Sequence, residues 1–338
     1  MIDTVKISIK TYIDTSELNS NHLWSRKKWR GKNMDIYVYK KGTLRLVYIS
    51  LWQKLFAEFS IPKLLYGSNV YMFFDIDTHL LKRSFKQAIK EALGLSLPDI
   101  STWDVNRIDF CYNFLLGSST DVRNYINYIK LRKPEYFSAK EYDSSAFYWN
   151  KSHSVKFYNK ALEMQARGEK IEYWMKKILR FEVTLRRRKI RELFFINGNN
   201  KTLADLLKSP VGKEILNKYL EKLCLNQKPM GKTDMIDRIN SSGERPSTIS
   251  KLLDYVNIVN NGGESAAREL LGRNYLTRKK KLAELGLGSF FIPVSIKYFQ
   301  LFVISIPGKV VKNISTSPYL LYASIYKSLS YFYQDGGG

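Results

Sequence analysis

The sequence predicts an α+β fold: a largely antiparallel sheet with helices packed on one face, followed by a smaller helical or winged-helix-like domain. Three observations lead there. Strand-like alternation and helical spacing are interspersed without the strict βαβ repetition of a parallel sheet. All six tryptophans lie at or before Trp174 and none follows. The chain is 338 residues long, more than one compact core usually holds. The turn-rich INGNNK at 196–201 is the expected boundary, dividing the chain into residues 1–198 and 199–338.

Taken in order, residues 4–9, 35–39, 44–51 and 70–76 read as strands. Residues 80–93 carry Leu81, Phe85, Ile89 and Leu93 at helical spacing and stop before Gly94. A strand is expected at 107–114. A helix follows at 121–131, with Val122, Tyr125, Ile126 and Ile129 on one face and Pro134 beyond. Residues 146–149 and 154–158 form a hairpin around 150–153. Residues 161–177 have a helical pattern and 179–185 alternate as a strand. The second part opens with helices at 203–207, 213–224, 248–260, 265–271 and 273–285, broken at Gly262–Gly263 and near Gly272. Apolar strands at 290–311 then complete a winged-helix pattern.

Lys and Arg number 55 against 31 Asp and Glu, a net charge of +24. That balance calls for a polyanion, nucleic acid first and an anionic membrane second. At 14% aromatic residues the chain is too rich to be a disordered basic tail. Residues 1–10 lack a signal-peptide apolar core, and the apolar stretch 289–307 is interrupted by Pro293, Lys297 and Gln300. No membrane partner and a cytoplasmic location are therefore expected. Cys111 and Cys224 stand alone, which gives neither a disulfide framework nor a zinc site.

Three strands each carry one polar face. Side chains alternate with period two, so Arg107, Asp109, Cys111 and Asn113 oppose Ile108, Phe110, Tyr112 and Phe114. Arg180, Glu182, Thr184 and Arg186 likewise oppose Leu179, Phe181, Val183 and Leu185; Lys156 and Tyr158 oppose Val155 and Phe157. If the strands are neighbours, a phenol, two carboxylates and several cations share one surface. That set suits phosphodiester chemistry. Two carboxylates can hold Mg²⁺ or Mn²⁺, a tyrosine can attack phosphorus, and a lysine or arginine can offset the charge that develops. A charged outer face is also what any half-exposed sheet carries.

Several segments at these positions resemble the replication initiators of filamentous phages and related plasmids, the gene II/X replication protein family. They are MIDTVKISI at 1–9, SIPKLLYGSNV at 60–70, RIDFCYNF at 107–114, YWNKSHSVKFYNKALEMQ at 148–165 and LRFEVTLRRRKI at 179–190. The order and spacing of the set carry the resemblance, which covers roughly the first 195 residues. It implies a Rep/relaxase-like nuclease domain that recognises a double-stranded origin. Such a domain nicks one strand with a tyrosine, keeps the 5′ phosphate on it and later rejoins the displaced strand. The tyrosine so implied is Tyr158, with Lys160 and Glu163 at the family's Y-x-K-x-x-E positions. Asp109 and Glu182 are the expected metal-side acids, in place of the His-hydrophobic-His motif of related nickases, which is absent from the sequence. Origin DNA, a host helicase and polymerase, and a second copy of the chain are the partners implied, in a bacterial host cell. The competing reading is a non-catalytic origin binder or repressor with the same fold.

Arg107, Lys156 and Arg180 on the polar face, and the run Arg186, Arg187, Arg188 and Lys189 beside it, are expected to bind DNA phosphates. Arg26, Lys27, Lys28 and Arg30, interleaved with Trp24 and Trp29, suit backbone tracking with base stacking or an exposed loop. Tyr148 and Tyr173 are rival nucleophiles. His153 reads as a solvent-facing turn residue. Asp75, Asp77 and His79 could ligate a metal, but helix capping is the preferred reading.

Overall fold

The computed structural model describes residues 1–28, 34–130, 134, 136–194, 202–223 and 232–287. Apolar alternation builds β1 (Ile2–Lys10), which leads through the short helix α1 (Thr15–Ser20) into a meander of β2 (Trp24–Lys28), β3 (Asp35–Lys41), β4 (Leu44–Ile49) and β5 (Lys54–Ser60). Ser60 caps α2 (Ile61–Tyr66) by accepting from the Lys63 amide, Pro62 sits in its first turn, and Gly67 ends it at φ 75°. The amphipathic α3 (Thr78–Leu93) buries Leu81, Phe85 and Ile89, and Gly94 closes it. The long strand β6 (Asp104–Leu115) and α4 (Ser119–Lys130) follow. Then come β7 (Ser138–Tyr142), β8 (Ser145–Trp149), β9 (His153–Asn159), α5 (Lys160–Gln165), β10 (Ile178–Arg186) and α6 (Arg187–Phe194). The second part contributes α7 (Leu203–Leu206), α8 (Ser209–Lys222), α9 (Lys232–Asn240), α10 (Pro246–Leu271) and α11 (Asn274–Glu284). The backbone of α10 leaves helical geometry at Gly263, where the sequence places its break.

Among the described residues, ten strands form one sheet in the order β2-β3-β4-β5-β1-β6-β10-β9-β8-β7, with every neighbouring pair antiparallel. The α+β class with an antiparallel sheet is thus borne out. One face is apolar. Val5, Phe59, Ile108, Phe110, Val183, Phe181, Phe157 and Tyr148 are all buried. Phe157 stacks on Phe181 with ring centres 4.5 Å apart. Phe85 of α3 packs on Phe59 at 5.2 Å and on Trp103 at 5.3 Å. The Tyr148 hydroxyl donates to the Ile129 carbonyl of α4 at 2.6 Å. In α8, a Cβ added at Gly212 would lie 3.4 Å from Met1 and Phe110, so that helix lies flush on the sheet. Helices α2 and α5 contact the sheet at strand ends; the other face stays open around its centre.

Residues 70–76 are not a strand. A single bridge joins Ile2 to Phe73, Asn113 donates to the Val70 carbonyl at 2.6 Å, and Asp75–Asp77 form a 3₁₀ turn. Residues 161–177 are not one helix: α5 stops at Gln165, Gly168 takes φ 73°, and a 3₁₀ turn occupies Tyr173–Lys177. Strands β2, β5 and β7 and helices α1, α2, α6 and α9 were not anticipated; the basic stretch for which backbone tracking and an exposed loop were both open is in part strand β2. The expected strands at 290–311 and the turn at 196–201 lie outside the described residues.

Candidate active site on the open face of the sheet

The register joins the three predicted polar faces into one. On β6 and β10, Asp109 pairs with Thr184, Cys111 with Glu182, Asn113 with Arg180 and Arg107 with Arg186. On β10 and β9, Glu182 pairs with Lys156 and Arg180 with Tyr158. Antiparallel partners point to the same side, so these residues form rows across adjacent strands. They open into a cleft of about 1290 Å³ whose walls include Arg107, Asp109, Lys156, Tyr158 and Glu182.

Within the cleft, the half-buried Tyr158 hydroxyl donates to Glu182 Oε2 at 3.2 Å. Lys156 Nζ lies 3.6 Å from Glu182 Oε1. Arg107 forks onto Asp109, with Nε 2.9 Å from Oδ1 and Nη2 2.6 Å from Oδ2, and its Nη1 reaches Glu58 at 3.3 Å. Burial, then the negative charge of Glu182, raises the proton affinity of the Asp109 carboxyl despite Arg107. Burial followed by Glu182 also pushes the Tyr158 phenol well above its ordinary value.

Those two acids repel across neighbouring strands, and a divalent cation would offset that repulsion. Their oxygen donors fit Mg²⁺ or Mn²⁺, which keep several waters and take one or two protein carboxylates. Among the described residues no group of three or more His, Cys, Asp or Glu side chains is placed to hold a metal. An ion held by Asp109 and Glu182 would have to displace Arg107, Tyr158 or Lys156 from their oxygens and take the rest of its shell from water.

Behind Tyr158 lies a buried polar network. Arg180 is fully buried; its Nη2 lies 2.8 Å from Asp3 Oδ2, and its Nη1 donates to the Asn69 carbonyl at 2.7 Å and to Asn113 Oδ1 at 3.3 Å. Ser60 donates to Asp3 Oδ1 at 2.8 Å. Burial opposes ionisation of Asp3, but the charges of Arg180 and Lys160 outweigh it and hold the carboxyl below its usual range. Lys160, also fully buried, donates to Asn69 Oδ1 at 2.7 Å and to Glu163 Oε2 at 2.8 Å. Burial first, then the Arg180 charge, lowers it to about 8.

Arg180 thus cannot touch DNA, and its expected phosphate contact is corrected to an internal ion pair. Lys189 is corrected likewise, because it is 9% exposed and paired with Glu192. Asp3, Asn69 and Asn113, which build this network, were not among the site residues expected from the sequence. Alternation had put Asn113 on the polar face of its strand; Asp3 and Asn69 lie among other polar residues in MIDTVKISI and SIPKLLYGSNV, and nothing in the pattern set them apart.

Arg186, Arg187 and Arg188 are exposed, with Arg186 donating to the Asn150 carbonyl at 2.9 Å and the Lys151 carbonyl at 3.2 Å. Lys27 and Lys28 are exposed on β2, and Arg26 pairs with Asp35 at 2.5 Å. Strand β2 lies five strands from β6, or about 24 Å at 4.8 Å per step, and the cleft walls include none of Trp24–Lys28. Arg30 lies outside the described residues. His153 is buried rather than solvent-facing, its ring set between Phe137 and Tyr219, and burial lowers it to about 4. Tyr148 is buried in the core and Tyr173 is 75% exposed. Asp75 binds Ser209, and Asp77 accepts from Tyr66 at 2.5 Å. No described helix is long and apolar enough to cross a membrane.

The fold and cleft define an α+β protein whose sheet carries acids and cations along the wall of one cleft. A family model described as the N-terminal part of a phage replication-associated protein matches residues 1–203, which is 203 of 338 residues. The chain belongs to that family, the phage gene II type of replication initiator. A comparison with curated proteins gives no match.

Proposed function

We propose that the chain nicks one strand of a replication origin by tyrosine transesterification and rejoins the displaced strand, as in rolling-circle replication. The observation that carries this reading is the Tyr158 hydroxyl bonded to Glu182 on the same open cleft as Asp109 and Arg107. Tyr158 Oη attacks phosphorus and its proton passes to Glu182. The new bond joins tyrosine to the 5′ phosphate. The bond to the 3′ oxygen breaks, and that oxygen takes a proton from solvent. Rejoining runs the same step backwards, because the ester conserves the bond energy. Lys156 and Arg107 neutralise the charge that develops on phosphorus. Lys160 acts from behind, holding Asn69 and Glu163 in place. When bound, Mg²⁺ or Mn²⁺ held by Asp109 and Glu182 would polarise a phosphate oxygen. Exposed Arg186, Arg187 and Arg188 bind the phosphates alongside. The partners that follow are origin DNA, double-stranded for recognition and single-stranded for cleavage, then host helicase and polymerase, and a second copy of the chain, within the bacterial cytoplasm.

One observation favours the second reading, an origin binder without chemistry. Both oxygens of Asp109 are held by Arg107, and those of Glu182 are shared between Tyr158 and Lys156. Supercoiled origin DNA incubated with the protein and Mg²⁺ or Mn²⁺ separates the two. Nicking gives an open circle with a 5′ tyrosyl link at residue 158, and Tyr158→Phe removes it. A free 5′ phosphate would make water the nucleophile, and an unbroken circle would leave only binding.

A further inference from the structure

The hairpin beside the nucleophile strand carries aromatic rings on the wrong side for packing. In β8, Ala146 and Tyr148 point into the core and are buried. Phe147 and Trp149 alternate with them and point to the open face, half-exposed. Their rings stack with centres 5.0 Å apart and planes 17° from parallel. Phe147 pairs with Lys156, which pairs with Glu182; Trp149 pairs with Ser154, which pairs with Thr184. Both rings therefore share the surface of the two acids, and Phe147 lines the same cleft. Lys156 Nζ lies 5.3 Å from the Phe147 ring centre. On β7, Lys140 pairs with Phe147 and lies 4.9 Å from the half-exposed ring of Tyr142.

We infer that Phe147 and Trp149, flanked by Lys140 and Lys156, form a stacking platform for unpaired bases of single-stranded DNA next to the scissile phosphate. The fold does not need these rings, because the core face of β8 is filled by Ala146 and Tyr148. An aromatic face between two cations is the arrangement that binds single strands without reading sequence: rings take bases and lysines take phosphates. A duplex keeps its base faces stacked internally and presents none to the platform. Strand β8 is one step of about 4.8 Å from the Tyr158 strand, so the bases held here lie within a nucleotide or two of the phosphate. The placement beside the scissile phosphate rests on the nicking reading; the platform itself does not.

The test uses the full chain with Tyr158→Phe, in chelator, so that no covalent chemistry enters. Anisotropy measures binding of an eight-nucleotide oligothymidine and of the same backbone with every base removed. Phe147→Leu and Trp149→Leu should each weaken the base-bearing strand roughly tenfold and leave the abasic strand unchanged, while Phe147→Tyr keeps wild-type affinity. Equal losses on both strands would make the rings structural and overturn the inference. So would unchanged binding of the oligothymidine, or a duplex that suffers the same loss. Each of these outcomes leaves the origin-nicking assay to stand or fall by itself.

Discussion

Lys160 is the residue whose titration reports most directly on the buried network. Its ammonium is fully enclosed, and burial together with Arg180 lowers it from 10.5 to about 8. Below pH 8 both folded and unfolded chains carry that proton. Between about 8 and 10.5 the unfolded chain keeps it and the folded chain has released it. The unfolded state then binds more protons, so this group makes stability rise with pH across that window, by about 3 kcal/mol at most. Urea midpoints taken at pH 7.5 and pH 10 should differ less in Lys160→Met than in the wild type. An identical pH response in the two proteins would place the shift elsewhere. At this scale period two made the polar rows legible, since Asp109, Glu182, Lys156 and Tyr158 fall where alternation puts them. Depth was not legible. Alternation assigns Arg180 to the same face as Glu182, but only the covering Asn69 and the facing Asp3 turn that position into an interior one.

Among the elements, the central strands were readable because their apolar faces are complete: β6 and β10 emerge within three residues of where the alternation places them. Edge strands carry no such signal. In β2 only Trp24 is buried, and in β7 none of Ser138–Tyr142 is, so their pairing comes from a neighbour rather than from their own pattern. Strand β5 was legible, with Leu55, Ala57 and Phe59 alternating inward, and was passed over. Helix α6 opens with Arg187 and Arg188 exposed directly after β10. If the pair binds phosphates, Arg187→Ala with Arg188→Ala should cut the slope of log affinity against log salt by roughly 1.5, since each phosphate contact contributes about 0.7 to 0.9. Titrations of single-stranded DNA between 50 and 200 mM salt, about the range where such slopes are read, check this. An unchanged slope would remove both arginines from the interface.

On the scale of the whole molecule, one ion pair ties the sheet together. Asp3 lies on β1 and Arg180 on β10, with β6 between them. Both are buried, so losing either leaves an uncompensated charge in the interior. Arg180→Met should cost about 3–5 kcal/mol, and adding Asp3→Asn should return part of it. Thermal melts of the single and double variants measure the coupling, and strictly additive losses would mean that the pair is not coupled. The net charge of +24 acts over the same scale, drawing a polyanion toward the open face before any specific contact forms.

The clamp also sets a timetable. A ribosome releases the third residue long before the hundred-and-eightieth, so the acid waits without its counter-charge while the intervening strands emerge. Any product of premature termination upstream of β10 lacks the arginine, Glu182 and half of the central pairing. An unfinished chain therefore carries Asp3 without the arginine that balances it.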